Sequence, residues 1–509
     1  MAEMNIANGI REFARCTPRR VAVIDGQRQL TFAELDDRSS RLASALLAVG
    51  LRAGDRVAML SRNRLEFVEL AAGLAKAGLP MVPLNPRGVA REHEFILEHS
   101  KARALIVDDQ LLAGVGGITD GLAITLILGS DGPGQPYERF LSQALPQDPG
   151  ARPSEREAFC VQYTSGTTGK PKGVMLSHRS RVFNMFAGGL EWGIGPGRRT
   201  AAIAPMALGA GFLFGYMGPF LGGTTVMLAK WDAADFLDLC ERHKLQSVFL
   251  VPTHAQGIRS LGEDPAAHFD LSSLETLYFN AAALPVPLKK WVIDAFPGAG
   301  VHELYGSTEA AVVTDLRPDR ALDRAGSVGH PWFSTEVKLV DPDGVEVPAG
   351  QPGELFSRSP MLMNGYLDDP EATAAALTDD GWCTAGDVAI ADDEGFIYIV
   401  DRKKDMIVSG SLKIYPREIE NVLIHAPGVS EVAVVGIPDD TWGERVCAFV
   451  VRDEPTGPSA DALAAFARDQ LAGFKIPREW HFAGSLPRNA NGKVMKNLLR
   501  DQAAADGSR

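Results

Sequence analysis

The 509-residue chain has little cysteine: Cys16, Cys160, Cys240, Cys383 and Cys447 are odd in number, scattered and without a Cys-x-x-Cys pair. A disulfide framework and a structural zinc site are therefore excluded as the basis of the fold, and a reducing cytoplasm fits best. Positive charge is also short, with 51 Lys and Arg against 64 Asp and Glu and a formal net charge of -13. Nothing draws such a chain as a whole to nucleic acid or anionic lipid, so any polyphosphate must be held by local groups. No apolar run approaches the ~20 residues that a membrane-spanning helix needs. The opening MAEMNIANGIREFARC lacks the continuous apolar core of an export signal. Neither an anchor nor an exported protein is expected. What remains is an ordinary globular composition, 45% hydrophobic and 23% charged, at a length too great for one core. Two or more domains follow.

The first third alternates short β-branched runs with helical patterns. Val21 to Ile24 reads as a strand, and Thr31 with Glu34 three residues on is a capping signal for a helix whose apolar face is Leu35, Leu42, Leu46 and Val49, ended by Gly50. Val57 to Leu60, Met81 to Leu84 and Ala104 to Val107 read as strands and Leu65 to Ala77 as a helix. That alternation predicts layered α/β structure. The Pro/Gly-rich stretches Asp131 to Pro136 and Leu145 to Ser154 are loops inserted in this region. From Gly326 to Val400 short strands broken by Asp-Gly, Pro-Gly and Glu-Gly turns predict a small β-rich subdomain. The charged break Asp401-Arg402-Lys403-Lys404-Asp405 precedes a fresh α/β series through Glu418 to Ile424, Val432 to Val435, Cys447 to Val451 and Ala460 to Leu471. The main boundary is placed there, giving domains 1–401 and 402–509.

Tyr163-Thr164-Ser165-Gly166-Thr167-Thr168-Gly169-Lys170-Pro171-Lys172-Gly173 carries the most chemical information. Glycines let backbone N–H groups approach phosphate oxygens, hydroxyls donate further hydrogen bonds, and lysines neutralise charge. The Walker pattern cannot be laid over it. A flexible polar linker has a similar composition, but the apolar Val174-Met175-Leu176 that follows argues for a loop set between strands.

Together with His302-Glu303-Leu304-Tyr305-Gly306-Ser307-Thr308-Glu309, Gly381-Trp382-Cys383-Thr384-Ala385-Gly386-Asp387 and Pro487-Arg488-Asn489-Ala490-Asn491-Gly492-Lys493, in that order, this loop resembles the adenylate-forming enzymes. That family comprises acyl- and aryl-CoA synthetases, peptide-synthetase adenylation domains and beetle luciferases, and the resemblance spans essentially the whole chain. It implies a large N-terminal domain of layered α/β subdomains with a small β-rich subdomain, and a smaller mobile α+β C-terminal domain. It implies ATP, Mg²⁺ and coenzyme A as cofactors, with Thr164, Ser165, Gly166, Thr167, Thr168, Gly169 and Lys172 around the phosphates. Tyr305 would stack on adenine, Thr308 would contact the α-phosphate and Glu309 would bind Mg²⁺, roles that suit an aromatic face and a carboxylate. Asn280, Ala281 and Ala282 resemble the turn under the adenine ring. Asp387 would grip both ribose hydroxyls, which its two acceptor oxygens suit. Arg402 would reach ribose or phosphates, Lys404 occupies the hinge position, and Ser409, Gly410 and Ser411 form the CoA-side face. Lys493 would bridge the substrate carboxylate and α-phosphate.

Three departures from the family pattern stand out: Ala385 for a usual threonine, Lys413 where many relatives have asparagine, and Leu208 for a frequent histidine. By the same resemblance Pro205 to Phe214, Val251 to Gln256 and Asn280 to Ala283 line the acid pocket, with Ala207, Leu208, Gly211, Phe212, His254 and Ala283 as its residues. These stretches are largely apolar and hold no charged residue to pair with a second carboxylate, so an aryl or medium-chain acid is expected. The implied chemistry is attack of the acid on the α-phosphorus, then transfer of the acyl group to the CoA thiol. The expected partners are a small carboxylic acid and CoA, with homodimer formation left open. Loading of a separate carrier protein, a luciferase-like oxygenase, and nucleotide binding without catalysis are the competing readings.

Overall fold

The structure, a computed structural model, describes residues 3–115, 121–129, 134–164, 171–409, 412–439, 441–454, 457–488 and 494–506. The chain divides into two compact units, Met1–Val337 with Ser357–Ala385, and Lys338–Phe356 with Gly386–Arg509.

The first unit is built on two large sheets. One runs, edge to edge, through Gly365–Tyr366, Lys172–Ser177, Ala158–Thr164, Met81–Leu84, Val57–Leu60, Ala104–Asp108, Ile124–Leu128 and Gln135–Pro136. Its inner strands Val57–Leu60, Met81–Leu84 and Ala104–Asp108 pair in parallel and are buried along their length. Continuous apolar runs rather than alternation are what a strand covered on both faces requires. The other sheet runs through His330–Pro331, Ala311–Leu316, Gly300–Ser307, Thr276–Phe279, Ser247–Leu250, Arg199–Ala202, Thr224–Met227, Val21–Asp25 and Arg28–Thr31. Val248, Leu250, Leu277 and Phe279 face one core with Phe236, Leu245 and Trp291. On the opposite face Phe249 and Tyr278 meet Phe214, with ring centroids 4.4 and 4.9 Å from its own.

The capping signal is realised in full. Thr31 Oγ1 accepts from the Glu34 N–H at 3.3 Å, while Glu34 Oε2 accepts from the Thr31 N–H at 2.8 Å, opening the helix Phe32–Ala48. Val49, read as part of that helix's apolar face, is instead the C-cap and 42% exposed. The chain leaves the helix there, so the side chain no longer follows the helical period. Within the Pro/Gly-rich stretch read as a loop, Gln135–Pro136 pairs as a short edge strand with Ile124–Leu128.

In the second unit Leu412–Ile414, Ile407–Ser409, Gly443–Arg452 and Val429–Asp439 form a sheet, with Glu479–Ala483 parallel to Gly443–Arg452. One face packs Ile419 and Leu423 of the helix Pro416–Leu423 and Leu463 of Ala460–Arg468; the other packs Leu499 of Lys496–Asp506. A four-stranded sheet of Glu336–Val340, Gly353–Arg358, Cys383–Ala391 and Ile397–Arg402 falls mostly in this unit. No helix among the described residues is long and apolar enough to cross a membrane.

Candidate active site

In the first unit the segments singled out in sequence follow the strands of one sheet. Ala207 and Leu208 come after Arg199–Ala202, His254 after Ser247–Leu250, Asn280 to Ala283 after Thr276–Phe279, and Tyr305 to Glu309 lie at the end of Gly300–Ser307. The first three of these strands and Gly300–Ser307 are joined by parallel pairings, so their carboxyl ends lie on one edge of the sheet. That edge is where open α/β sheets bind ligands.

The hairpin of Ala158–Thr164 and Lys172–Ser177 pairs Thr164 with Lys172 at its mouth. Ser165, Gly166, Thr167, Thr168 and Gly169, between them, lie outside the described residues. Val174 pairs with Tyr366, and the Leu367 N–H donates to the Gly173 carbonyl at 2.8 Å. This brings the Tyr366 ring under Lys172, whose Nζ stands 5.0 Å from the ring centroid. The Tyr366 hydroxyl donates to Glu309 Oε1 at 2.9 Å. Burial, helped by the Glu309 charge, pushes the phenol pKa well up, so Tyr366 keeps its proton and remains a donor. Glu309 Oε2 has no protein partner among the described residues, and a half-buried carboxylate oxygen of this kind suits a hard cation. Thr308, next to Glu309 in the chain, faces the pocket segment: its Oγ1 lies 3.6 Å from where a Cβ on Gly209 would stand.

A β-bulge at Tyr305 and Gly306 turns the strand toward Thr308. Gly306 is required there, because a Cβ would lie 1.9 Å from the Ala311 carbonyl oxygen. His302 and Glu303, from the same motif, are structural. His302 Nδ1 sits 3.0 Å from Asp315 Oδ2 in the core. Glu303 pairs with buried Lys289 at 2.6 Å and accepts from the Leu284 N–H at 3.0 Å, pinning the turn Asn280 to Ala283. In that turn Ala281, Ala282 and Ala283 are exposed, and Ala281 adopts φ 75°, a conformation that costs a non-glycine residue ~1 kcal/mol or more.

Around the expected acid pocket, Ala207 is buried and Leu208 half-buried. Gly211 is needed sterically, since a Cβ would lie 2.0 Å from the Pro205 carbonyl oxygen. Phe212 is 3% exposed and packs on Phe159 and Tyr216, with ring centroids 5.6 and 5.2 Å away. His254 stacks on Trp231 at 4.1 Å, and burial, with Arg87 adding, pushes its pKa down to about 4. Its Nδ1 accepts from the Val251 N–H at 3.3 Å, which places the proton of the neutral ring on Nε2 as a donor.

In the second unit Asp387 pairs with Arg402 across two strands, and Arg402 Nε lies 3.1 Å from Asp387 Oδ1. Asp401 orders the following segment by accepting from the backbone N–H of Arg402 at 2.7 Å and of Arg417 at 2.8 Å. Lys404 is exposed on a short 3-10 turn, its pKa lowered chiefly by desolvation. Ser409 pairs with Gly443 and Leu412; Gly410, Ser411 and Lys493 lie outside the described residues.

A family model described as AMP-binding enzyme matches residues 10–367, and one described as AMP-binding enzyme C-terminal domain matches 418–493. The chain belongs to the AMP-binding enzymes. These adenylate-forming proteins include the acyl-CoA synthetases, and the chain is similar to a feruloyl-CoA synthase of Amycolatopsis sp., 37% identical over 490 residues that cover 96% of each chain. It is similar also to the fatty acid–[acyl-carrier-protein] ligase ScoC of Streptomyces coeruleorubidus, 34% identical over 97% of this chain and 96% of that one. Among solved structures, o-succinylbenzoate coenzyme A synthetase (MenE) from Bacillus subtilis with its acyl-adenylate intermediate superposes with a TM-score of 0.87 at 29% identity, covering 97% of this chain and 98% of that one.

Two residues of this AMP-binding enzyme escaped the sequence reading. Tyr366 is one; a Gly-Tyr pair far from the phosphate loop gives no signal until the strand pairing is known. Asn63 is the other. Its Nδ2 donates to the Ala202 and Ala204 carbonyls at 2.9 Å each and its Oδ1 accepts from the Met206 N–H at 2.8 Å, holding the start of the pocket segment.

Proposed function

We propose that the protein is an ATP-dependent carboxylic acid–CoA ligase that forms an acyl-AMP and then an acyl-CoA thioester, acting on an acid with an apolar aryl or medium-length alkyl body. The observation that carries the reading is the cluster Lys172, Tyr366 and Glu309 at the mouth of the glycine-rich hairpin, with Thr308 beside Glu309 in the chain. A carboxylate is a poor acyl donor, and its attack on a phosphate brings two anions together. Catalysis therefore needs positioning and charge compensation more than a nucleophilic side chain.

In this reading Thr164, Lys172 and the loop residues between them hold the polyphosphate and Thr308 the α-phosphate. Tyr305 stacks on adenine above Asn280, Ala281 and Ala282. Glu309 would hold Mg²⁺, which would supply charge neutralisation at the phosphates. Asp387 takes the ribose hydroxyls, with Arg402 beside it. Lys493 brings the acid and α-phosphate together; Lys404 is the pivot on which residues 402–509 turn between the two half-reactions, and Ser409, Gly410 and Ser411 form the face met by CoA. The pocket is lined by Ala207, Leu208, Gly211, Phe212, His254 and Ala283, with His254 Nε2–H available to a polar substituent. A cytoplasmic location accords with five unpaired thiols.

A second reading, transfer to a carrier-protein thiol, is favoured by the similarity to a fatty acid–[acyl-carrier-protein] ligase. Pyrophosphate release across benzoates, cinnamates and C4 to C12 fatty acids, with and without CoA and with mass detection, separates the two. Acid-dependent release with a CoA thioester supports the ligase. Acyl-AMP that accumulates despite CoA, and is cleared by a phosphopantetheine carrier, would replace it with the second reading.

A further inference from the structure

The helix His178–Trp192 carries two buried polar side chains that have no partner among the described residues. Arg181 is 3% exposed, yet its guanidinium has no hydrogen bond, ion pair or ring contact among the described residues. One turn on, Asn184 is 0% exposed and both its Oδ1 and Nδ2 lack a partner. Positions three apart on a helix are neighbours at ~5–6 Å, so the two make one polar patch.

Among the described residues no acid pairs with the patch. The group that Arg181 senses is Cys160, whose thiol is pushed up to about 12 by burial and is therefore neutral. Arg181 itself is lowered by burial only to about 10 and stays charged at neutral pH. Of the acids nearest along the chain, Glu157 is exposed, and Glu155 and Glu191 are committed to Arg179 and Arg317. A buried, uncompensated cation is among the costliest features a fold can retain.

Cys160, the group beside Arg181, lies on a strand that is tied to the acid-pocket segment. Cys160 and Gln162 are two apart on one strand, hence on the same face and ~7 Å from each other. Gln162 Nε2 donates to the Ala207 carbonyl at 2.8 Å, and the segment from Ala207 leads through Gly209 to Thr308.

We propose that Arg181, assisted by Asn184, binds the second carboxylate of a dicarboxylic acid substrate, at the end remote from the carboxylate that is activated. The guanidinium would donate to the carboxylate oxygens and Asn184 Nδ2 would add a further hydrogen bond. The inference rests on the acid–CoA ligase reading and supplies the charged partner that the Pro205 to Phe214, Val251 to Gln256 and Asn280 to Ala283 segments lack.

The test uses the full-length protein with matched acids: hexanoate against adipate, octanoate against suberate and benzoate against terephthalate, plus the monomethyl esters of the diacids. Pyrophosphate release and thioester mass are read together. In at least one matched set the diacid has the higher kcat/KM, the ester ranks with the monoacid, and a single carboxylate is converted. Arg181→Met then lowers the diacid-to-monoacid ratio roughly 10–100-fold, the worth of a hydrogen bond to a charged group, and Asn184→Leu lowers it less. Should Arg181→Met fail to fold, the ranking by the unaltered protein still decides. Thioester formation with monoacids preferred in every set would overturn the proposal and leave the ligase intact. Esters that match diacids, or a variant that weakens both acids equally, would also overturn it. No acid-dependent pyrophosphate release from any acid would remove both readings.

Discussion

Tyr366→Phe isolates the contact that ties the phosphate hairpin to the candidate metal carboxylate. Phenylalanine keeps the ring under Lys172, 5.0 Å from its Nζ, and removes only the hydroxyl that donates to Glu309 Oε1 at 2.9 Å. A hydrogen bond to a charged acceptor contributes ~1.5–3 kcal/mol. At ~1.36 kcal/mol per decade of rate, its loss slows a step that depends on the oriented carboxylate ~10- to 150-fold. The burial that keeps the phenol protonated makes this donor available at any working pH, so the deficit is present across the pH profile. Acid-dependent pyrophosphate release measures the affected step; thioester formation from synthetic acyl-AMP measures the step that no longer needs the triphosphate. The variant loses the first far more than the second and needs more Mg²⁺ for half-maximal release. Equal losses in both half-reactions, or none in the first, would show that Tyr366 supports the fold and not the metal carboxylate.

Lys493→Ala suppresses adenylate formation by ~10²-fold or more, the scale of losing one charge-stabilising donor, while thioester formation from supplied acyl-AMP survives; equal losses would remove its assigned role. Lys404→Pro restricts the turn at the pivot and impairs mainly the second half-reaction, so a selective loss of adenylation contradicts it. Asp387→Asn weakens the acceptor pair for the ribose and raises the KM for ATP ~10-fold, about one hydrogen bond's worth, with less change in the KM for the acid; a change confined to the acid would refute it. His178 and His254, both pushed down to about 4 by burial, stay neutral in the fold while the unfolded chain begins to take up protons near the ordinary histidine value of ~6.5. Their contribution is therefore present above that value and is lost as pH falls from 6.5 toward 4, by up to ~1.4 kcal/mol per pH unit for each ring. Denaturant unfolding at pH 5 and 7.5 should show the fall, with a shallower slope in His178→Gln, and identical slopes would refute it.

Elements whose cause is local were legible in the sequence. The helix opened by Thr31 and Glu34 forms with both reciprocal hydrogen bonds, and Leu65–Ala77 and Met81–Leu84 have the limits their residues imply. What depends on distant pairing was not. Tyr366 reaches Glu309 only because its short strand adds to the Lys172–Ser177 edge. Glu303, read within a binding motif, turns out to pin the Asn280 to Ala283 turn through Leu284 and to neutralise Lys289. Arg181 carries no sequence signal at all, since an arginine on a helix is ordinarily a solvated one.

The same division accounts for where chemistry can vary in this fold. Arg199–Ala202, Ser247–Leu250, Thr276–Phe279 and Gly300–Ser307 pair in one parallel block, and each delivers its following residues to the same edge. Placement is thus fixed by buried strand residues and by anchors such as Asn63, while identity is left to the loops. Leu208 and His254 can change without disturbing a strand pairing. Gly211 and Gly306 cannot, because any side chain there would meet a backbone carbonyl at about 2.0 and 1.9 Å. In the proposed reading, acid choice then resides in a few loop and helix side chains set on a frame of buried strands. On the proposal made for Arg181, a single uncompensated residue alters the substrate class without altering the reaction.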